Sequence, residues 1–263
     1  MTDSISRLVR RLEHCEKLPP EERNPLELAA SSIVRFRQRD TLIKQGAPVD
    51  RIFIIADGIA CRYTLLPDGR RQISAFMLPG DICDTRTFAL ARMDHSICAL
   101  SPVEAVQLSA AAVRKLEEQP VLSRTLAWNA VVQQSIAREW LLNVGHRTAF
   151  ERLSHLFCEL FERLLAVDLV RDNACELPLT QVEIADTLAL TSVHVNRTLM
   201  ELRRSKLVTF QNRHLVIHDQ GALRRVAGFD PAYLHLESTA GVEPAVSYFS
   251  AGAPRVPSNV LGQ

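Results

Sequence analysis

An α+β protein built in three consecutive parts is what the 263 residues predict, and three changes of texture along the chain predict it. From about Ser31 to Leu108, short apolar runs alternate with turn residues. Val121 to Val144 then keeps a helical period with no Pro or Gly inside it. Leu179 to Ile217 reads as two capped helices followed by a pair of short strands. The length, at about 150 residues per domain, agrees with two domains.

The first part is expected to be an antiparallel β-sandwich or jelly roll. Thr41–Ile43, Arg51–Ile55, Ala60–Leu65, Gln72–Phe76, Ser96–Leu100 and Val103–Leu108 have strand length and composition. Gly46-Ala47-Pro48, Asp57-Gly58, Pro67-Asp68-Gly69 and Pro79-Gly80-Asp81 punctuate them. Short strands cut at such intervals favour a two-layer all-β body. Pro67-Asp68-Gly69 suits a hairpin tip, because Pro presets one turn dihedral and Gly permits a positive one.

In the second part Val121, Leu122, Leu126, Val131, Val132, Ile136, Trp140, Leu141 and Val144 recur mostly at three- or four-residue steps. A helix of that span is roughly 36 Å long and exceeds what one small sandwich can cover. A long core helix and a seam between two chains both satisfy the pattern. Further on, Phe150, Leu153, Leu156, Phe157, Leu160, Phe161, Leu164 and Leu165 form a wide apolar stripe on another helix, and Asp172-Asn173 marks a turn. Beyond Gly228 the chain holds Pro231, Pro244, Pro254 and Pro257 among small residues, the composition of a loosely held tail. The expected division is 1–108 for an N-terminal helix and β-roll, 109–145 for the connecting and long helices, 146–228 for the helical domain with its strand pair, and 229–263 for the tail.

Composition excludes several classes of function. No apolar run approaches the length of a membrane span, and Met1-Thr2-Asp3-Ser4 does not open a signal sequence, so a cytoplasmic protein without a membrane partner is expected. The six cysteines (Cys15, Cys61, Cys83, Cys98, Cys158, Cys175) form no CxxC pair, which leaves a zinc knuckle or a local iron–sulfur ligand set unwritten. Free thiols are the expectation, with Cys83 and Cys98 weighed as redox candidates against inert buried cysteines. A metalloenzyme on the sandwich would want two His and an acid together, and that region offers only His95. GxSxG, HExxH, Walker and GxGxxG patterns are also missing, so the chain does not read as an enzyme.

Function concentrates between Leu179 and Arg225. Thr180 with Glu183 writes a capping box, and Thr191 offers a second N-cap eleven residues later. Small Ala185 allows close approach of two helices, with Ile184, Leu188, Leu190, Val195 and Leu199 at positions a crossed pair would bury. These apolar positions alone fit an ordinary helical hairpin as well as a helix-turn-helix. The residues C-terminal to the second helix decide between them. Val208-Thr209-Phe210 and Leu215-Val216-Ile217 flank the polar tip Gln211-Asn212-Arg213-His214, the arrangement of a wing. Between Thr191 and Arg225, Arg197, Arg203, Arg204, Lys206, Arg213, Arg224 and Arg225 face only Glu201 and Asp219, a basic module that the net charge of +1 conceals. Such charge binds phosphate, and side chains near the N-terminus of the second helix read bases.

A sandwich, a long helix and a winged helix-turn-helix in this order resemble the cyclic-AMP receptor protein and fumarate-nitrate regulator (Crp/Fnr) superfamily of bacterial transcription factors across about residues 30–220. The resemblance rests on Leu42-Ile43-Lys44-Gln45-Gly46, Phe53-Ile54-Ile55-Ala56-Asp57-Gly58, Pro79-Gly80-Asp81 and Leu179 to Leu207. It implies a cyclic-nucleotide-binding-like sensor, a homodimer zipped along the long helix, and double-stranded DNA with two-fold related half-sites as partner. RNA polymerase joins the partners if the protein is an activator. A ligand-binding regulatory module without DNA binding is the alternative within that likeness, and the wing counts against it.

Carried over residue by residue, the DNA-facing positions are Ser192, Val193, His194, Asn196 and Arg197, with Arg213 at the wing tip. Arg197 is the strongest candidate, since a guanidinium can donate two hydrogen bonds to guanine. Val193 stands where glutamate is common in the family and cannot accept a hydrogen bond from cytosine. Ala189 replaces the usual turn glycine. Cyclic-nucleotide binders of the family hold the phosphate with an Arg-Ser pair and the ribose with a Glu. Here His95-Ser96 stands at the pair and Asp84 near the Glu. Imidazole lacks the permanent charge and fork of a guanidinium, so poor cyclic-AMP binding is expected, with Asp84, His95 and Ser96 left as candidates for another, unknown effector. No cofactor is predicted.

Overall fold

The computed structural model describes residues 2–29, 32–84 and 91–236. Two N-terminal helices, α1 (Thr2–Leu12) and α2 (Pro20–Ala29), precede eight strands: β1 (Ile33–Phe36), β2 (Thr41–Ile43), β3 (Arg51–Asp57), β4 (Ala60–Leu65), β5 (Arg71–Met77), β6 (Ile82–Cys83), β7 (Ser96–Ala99) and β8 (Val103–Ser109). They form two four-stranded antiparallel sheets, ordered β1-β8-β3-β6 and β2-β7-β4-β5. Every strand expected from the sequence is present. β1 and the two-residue β6 join them, the latter too short to show a period.

Each layer has its own apolar filling. Phe53, Ile55, Ala60, Ala75, Met77, Ile97, Val103 and Ala105 lie between the sheets. The other face of the first sheet, with Ile52, Ile54, Ile82, Val106 and Leu108, packs on Ile5, Leu8, Leu12 and Leu26 of the N-terminal helices. That double cover explains why Ile52-Phe53-Ile54-Ile55 is an unbroken apolar run, since a strand buried on both faces needs no alternation.

Helix α3 (Ala110–Glu117), capped by Ser109, leads to α4 (Pro120–His146). Its 27 residues make it about 40 Å long. Pro120 stands in its first turn, where the missing N–H costs nothing, and its N-cap residue, Gln119, makes no side-chain cap bond. Buried Glu22 of α2 replaces that cap, accepting from the N–H groups of Val121 (3.2 Å) and Leu122 (2.7 Å). Leu122, Thr125, Asn129, Val132, Ile136, Trp140 and Asn143 make one buried stripe along α4, whereas Val131, Leu141 and Leu142 are exposed.

Helix α5 (Ala149–Leu165) starts at a Thr148–Glu151 capping box and is buried on most of its circumference. After it come β9 (Ala174–Glu176), α6 (Gln181–Leu188), α7 (Ser192–Arg204), β10 (Val208–Gln211), β11 (His214–Ile217) and α8 (Gln220–Ala227). The three strands form a sheet ordered β10-β11-β9. β9 was not expected, because three residues carry no alternation to read. Asp172 and Asn173, expected at a turn, both have positive φ. No helix among the described residues is long and apolar enough to cross a membrane.

The first residues of the expected tail are not loose. Phe229 and Leu234 are buried, Pro231–Leu234 forms a 3₁₀ turn, and the rings of Phe229 and Tyr233 close over His155 of α5. Two aromatic rings supply enough apolar surface to hold a segment whose prolines and small residues suggested disorder. Residues 237–263 lie outside the described residues.

An ion network joins these parts. Gly80 (φ +92°) lets the backbone of α1 approach its turn, since a Cβ there would sit 3.1 Å from the Arg7 carbonyl oxygen. The adjoining Asp81, wholly buried, pairs with Arg11 of α1 (2.9 Å) and Arg163 of α5 (2.6 Å) and accepts from the Leu78 N–H (2.8 Å). Arg163 also donates to the Phe76 carbonyl (2.9 Å) and pairs with Glu159 (3.1 Å), which accepts from Trp140 Nε1 and Tyr233 Oη, each at 2.8 Å. Burial pushes the Glu159 carboxyl up, against the Arg163 charge and these donors. Replacing Asp81 by alanine would leave Arg11 and Arg163 as two buried cations with only the Glu159 carboxylate to balance them. Asp81→Ala is expected to lower unfolding free energy by about 3–5 kcal/mol in urea titrations; a loss below about 1 kcal/mol would show that water reaches the cluster.

Candidate nucleic-acid interface

The helix-turn-helix forms from its caps inward. Thr180 Oγ1 accepts from the Glu183 N–H (3.2 Å) while Glu183 Oε2 accepts from the Thr180 N–H (2.6 Å), which closes the expected box on α6. Thr191 caps α7 by accepting from the His194 N–H (3.2 Å). Between the two helices Ala189 is left-handed, at φ 53° and ψ 45°, as its place at a glycine position suggested. Its N–H and that of Leu190 both return to the Ala185 carbonyl, and Arg152 of α5 donates to the orphan carbonyl of Leu188 (3.0 Å). Ile184, Ala185, Leu188, Val195 and Leu202 are buried beneath the pair, with Leu190 and Leu199 packed at its margin.

Burying Val195, Thr198 and Leu202 turns the opposite face of α7 outward. Val193 is 78% exposed, and His194, Asn196 and Arg197 are exposed beside it, with Ser192 half-buried at the first turn. Asn196 Nδ2 donates to Gln181 Oε1 of α6 (3.3 Å). Among the described residues the Arg197 guanidinium makes no hydrogen bond or ion pair. Met200, also exposed, continues this face one turn on, a position that sequence reasoning misses because a methionine carries no charge signal. Gln181 escapes it likewise, since its partner lies fifteen residues away. The wing tip is the two-residue turn Asn212-Arg213, with φ of 52° and 64° and both side chains exposed. The tip is tied to the segment just after β9 by the Leu177 N–H, which donates to the Arg213 carbonyl (2.7 Å). Arg203 and Arg204 sit at the C-terminal end of α7, where cations oppose the helix dipole.

The sensor candidates are arranged differently from the expectation. Asp84, with positive φ, sits at the centre: Oδ2 lies 2.8 Å from His95 Nε2, and Oδ1 pairs with the Arg62 guanidinium. His95 Nδ1 faces Asp94 at 2.6 Å. Burial opposes ionisation of Asp84, yet the His95 hydrogen bond and the Arg62 charge together hold its carboxyl below the usual range. Ser96 is buried and its hydroxyl accepts from the Gln45 N–H (3.0 Å). The structure thus brings Asp84 and His95 together and commits Ser96 to the backbone. The Arg62 guanidinium of β4 reaches the same Asp84 carboxylate as His95 and is paired with it. No local pattern could have announced Arg62, which is 22 residues from its partner.

The helix-turn-helix is not held by α5 alone. Arg71 of β5 pairs with Asp186 of α6 (2.8 Å), and Gln72 Nε2 donates to the Thr187 carbonyl (3.1 Å). Ile73 and Phe76 of the same strand share one apolar cluster with Trp140, with Phe157 and Phe161 of α5, and with Ile184. The β-sandwich, the long helix and the helix-turn-helix body are therefore packed together.

A capped helix pair with an outward polar face, a basic end and a wing, carried by a sandwich and a long helix, defines a DNA-binding transcription regulator. Residues 33–119 match the cyclic nucleotide-binding domain family and residues 151–226 the Crp-like helix-turn-helix domain family. The nitrogen fixation regulation protein FixK of Bradyrhizobium diazoefficiens is 31% identical over 195 residues, 74% of this chain and 81% of FixK. The transcriptional activatory protein AadR of Rhodopseudomonas palustris is 31% identical over 201 residues, 76% and 82% of the two chains. The structure of FixK2 from Bradyrhizobium japonicum superposes with a TM-score of 0.68 at 23% identity, covering 76% of this chain and 98% of that one. The chain belongs to the Crp/Fnr family of transcription regulators and is not an enzyme.

The left-handed Ala189 is a local test of this turn. An L-residue in that region is strained by about 1–2 kcal/mol, so Ala189→Gly is expected to stabilise the protein by up to about 1 kcal/mol, read as a rise in Tm. A fall in Tm, the usual effect of glycine inside a helix, would show that the turn is not left-handed in solution.

Proposed function

We propose that two copies of this chain pair along the exposed apolar side of α4 and bind a two-fold related operator. Val131, Leu141 and Leu142 lie off the stripe that the chain buries within itself, and membership of a family whose regulators typically act as dimers supports a second copy as the partner. In such a dimer each α7 enters a major groove, with half-sites roughly 34 Å apart. Ser192, Val193, His194, Asn196 and Arg197 face the base edges, Asn196 being steered by Gln181, and Arg213 reaches phosphate from the wing. Val193 offers only an apolar contact, suited to a thymine methyl. An activating role, supported by the name of the R. palustris relative, would make RNA polymerase a further partner and the cytoplasm the place of action.

The exposed Arg197, unpaired among the described residues and set on a capped helix, carries this reading. Genomic fragments selected by the purified protein supply the operator. Arg197→Ala is then expected to cost about 1–3 kcal/mol on the operator and little on random DNA, by fluorescence anisotropy. Arg213→Ala should lower affinity on every sequence and reduce the salt slope by about one. Equal losses on operator and random DNA for Arg197→Ala would reassign it to phosphate.

Cyclic AMP is not the effector in this reading. A cyclic phosphate placed at His95-Ser96 would meet the Asp84 carboxylate, and Arg62 could turn to it only by leaving the Asp84 side chain, 5% exposed, without its guanidinium. Isothermal calorimetry with cyclic AMP is expected to give no heat of binding at micromolar protein, and saturable binding in that range would overturn the statement.

A further inference from the structure

Cys61 of β4 and Cys98 of β7 are directly opposed residues of an antiparallel pair, and their sulfurs are 3.5 Å apart. Directly opposed Cα atoms lie about 4.5–5.5 Å apart, inside the roughly 4.4–6.8 Å that a disulfide spans. The pair sits on the sheet face turned toward α4, α5 and α6, in the cluster with Ile73, Phe76 and Trp140. Cys61 is wholly buried. Cys98 lines a cleft of about 540 Å³ between the sensor sheet and the start of α6, together with Gln38, Arg39, Tyr63, Arg71 and Glu183. Cys98, itself only 7% exposed, is the member of the pair that borders this cleft, and Cys61 stands behind it within reach.

From this geometry we infer that Cys61 and Cys98 form a reversible thiol-oxidation site for hydroperoxides, with Cys98 attacked first and Cys61 resolving, and that the resulting disulfide loosens the hold of the sensor sheet on the helix-turn-helix. The Cys98 thiolate sulfur takes the terminal oxygen of the peroxide. The O–O bond breaks, and the leaving oxygen gains a proton to depart as water or alcohol. Cys61 then attacks the sulfenic sulfur of Cys98, the S–O bond breaks, and the hydroxide takes the Cys61 proton and leaves as water. Two thiols lose two electrons and the peroxide gains them.

The surroundings separate these two cysteines from the rest. The hydrogen bond with Cys61 and, against the cost of burial, the Arg71 charge hold the Cys98 thiol below its ordinary value. Cys61 is raised by the same hydrogen bond, then by burial. Burial raises Cys15 and Cys83, and pushes Cys158 and Cys175 up to about 12. Thiolate character follows the positive neighbour, and Arg71 is that neighbour. The same Arg71 of β5 pairs with Asp186 of α6, and the adjacent Gln72 holds Thr187, so a disulfide that draws β4 toward β7 acts on the strand with which the α6-holding β5 is paired.

The coupling to DNA rests on the reading of the protein as an operator-binding regulator; the oxidation itself does not. Full-length protein, reduced and then treated with stoichiometric hydrogen peroxide, is alkylated and mapped by peptide mass spectrometry. A Cys61–Cys98 linked peptide that dithiothreitol abolishes is expected, absent from the Cys98→Ser variant and retained in Cys83→Ser. Both residues recovered as alkylated thiols, or Cys98 carried only to sulfinic or sulfonic acid, would overturn the site on wild-type protein alone. Oxidation is expected to weaken binding to a fragment selected by the reduced protein about tenfold, and not in Cys98→Ser. A formed disulfide with unchanged affinity would overturn the coupling. If the reduced protein selected no fragment, the operator reading would fail while the peptide map still decided the site.

Discussion

The carboxylate of Asp81 is the point on which the described architecture depends. It lies between the guanidinium groups of Arg11 and Arg163, and so ties an N-terminal helix and the first helix of the DNA-binding body to one turn of the sensor. Buried ion pairs stabilise little relative to apolar packing, because desolvation consumes most of the Coulomb gain. What they impose is geometry. Apolar surfaces of α5 and the sheet could slide over one another at small cost, whereas two charges each needing the same carboxylate cannot. Glu159, held by Arg163, Trp140 and Tyr233, extends that constraint to the long helix and to the segment after α8.

The same cluster frames how a signal can travel. The β-sandwich touches the helix-turn-helix body through the buried network around Arg163, through the apolar cluster that joins Ile73 and Phe76 to Phe157, Phe161 and Ile184, and through the half-exposed contacts of Arg71 and Gln72 with α6. The last of these is the cheapest to rearrange, since its charges are partly solvated. A ligand or chemical change that favours a different placement of α6 opposes that contact first and the apolar packing of Ile184 after it.

Local features were legible in the sequence and remote ones were not. The six strand segments, the capping box at Thr180, the cap at Thr191 and the polar wing tip all depend on neighbours within a few residues, and each has the geometry its residue types suggest; the left-handed Ala189 follows from the family resemblance and not from alanine itself. Asp84 and His95 stand out separately in the sequence and do meet. Arg62, which pairs with Asp84, was invisible because strand register alone brings it there. The partners of Asp81 are 70 and 82 residues away, and nothing in the residues around Arg11 or Arg163 marks either as buried. The cysteines show the same limit: Cys98 drew attention beside Cys83, yet the thiol it faces is Cys61, placed by the pairing of β4 with β7. Composition misjudged residues 229–236 because it weighs prolines and small residues evenly, while two well-placed rings decide the packing.

The phenol of Tyr233 lies seven residues past the end of the stretch that matches the Crp-like helix-turn-helix family, yet its hydroxyl supplies one of the donors to the buried Glu159. Trimming the chain at the family's own border would unroof a carboxylate deep inside, strip the lid from His155, and admit water to the joint between sensor and reader. The smallest autonomous unit is thus longer than kinship alone would delimit, and a fragment meant to keep this joint dry must run at least through Leu236.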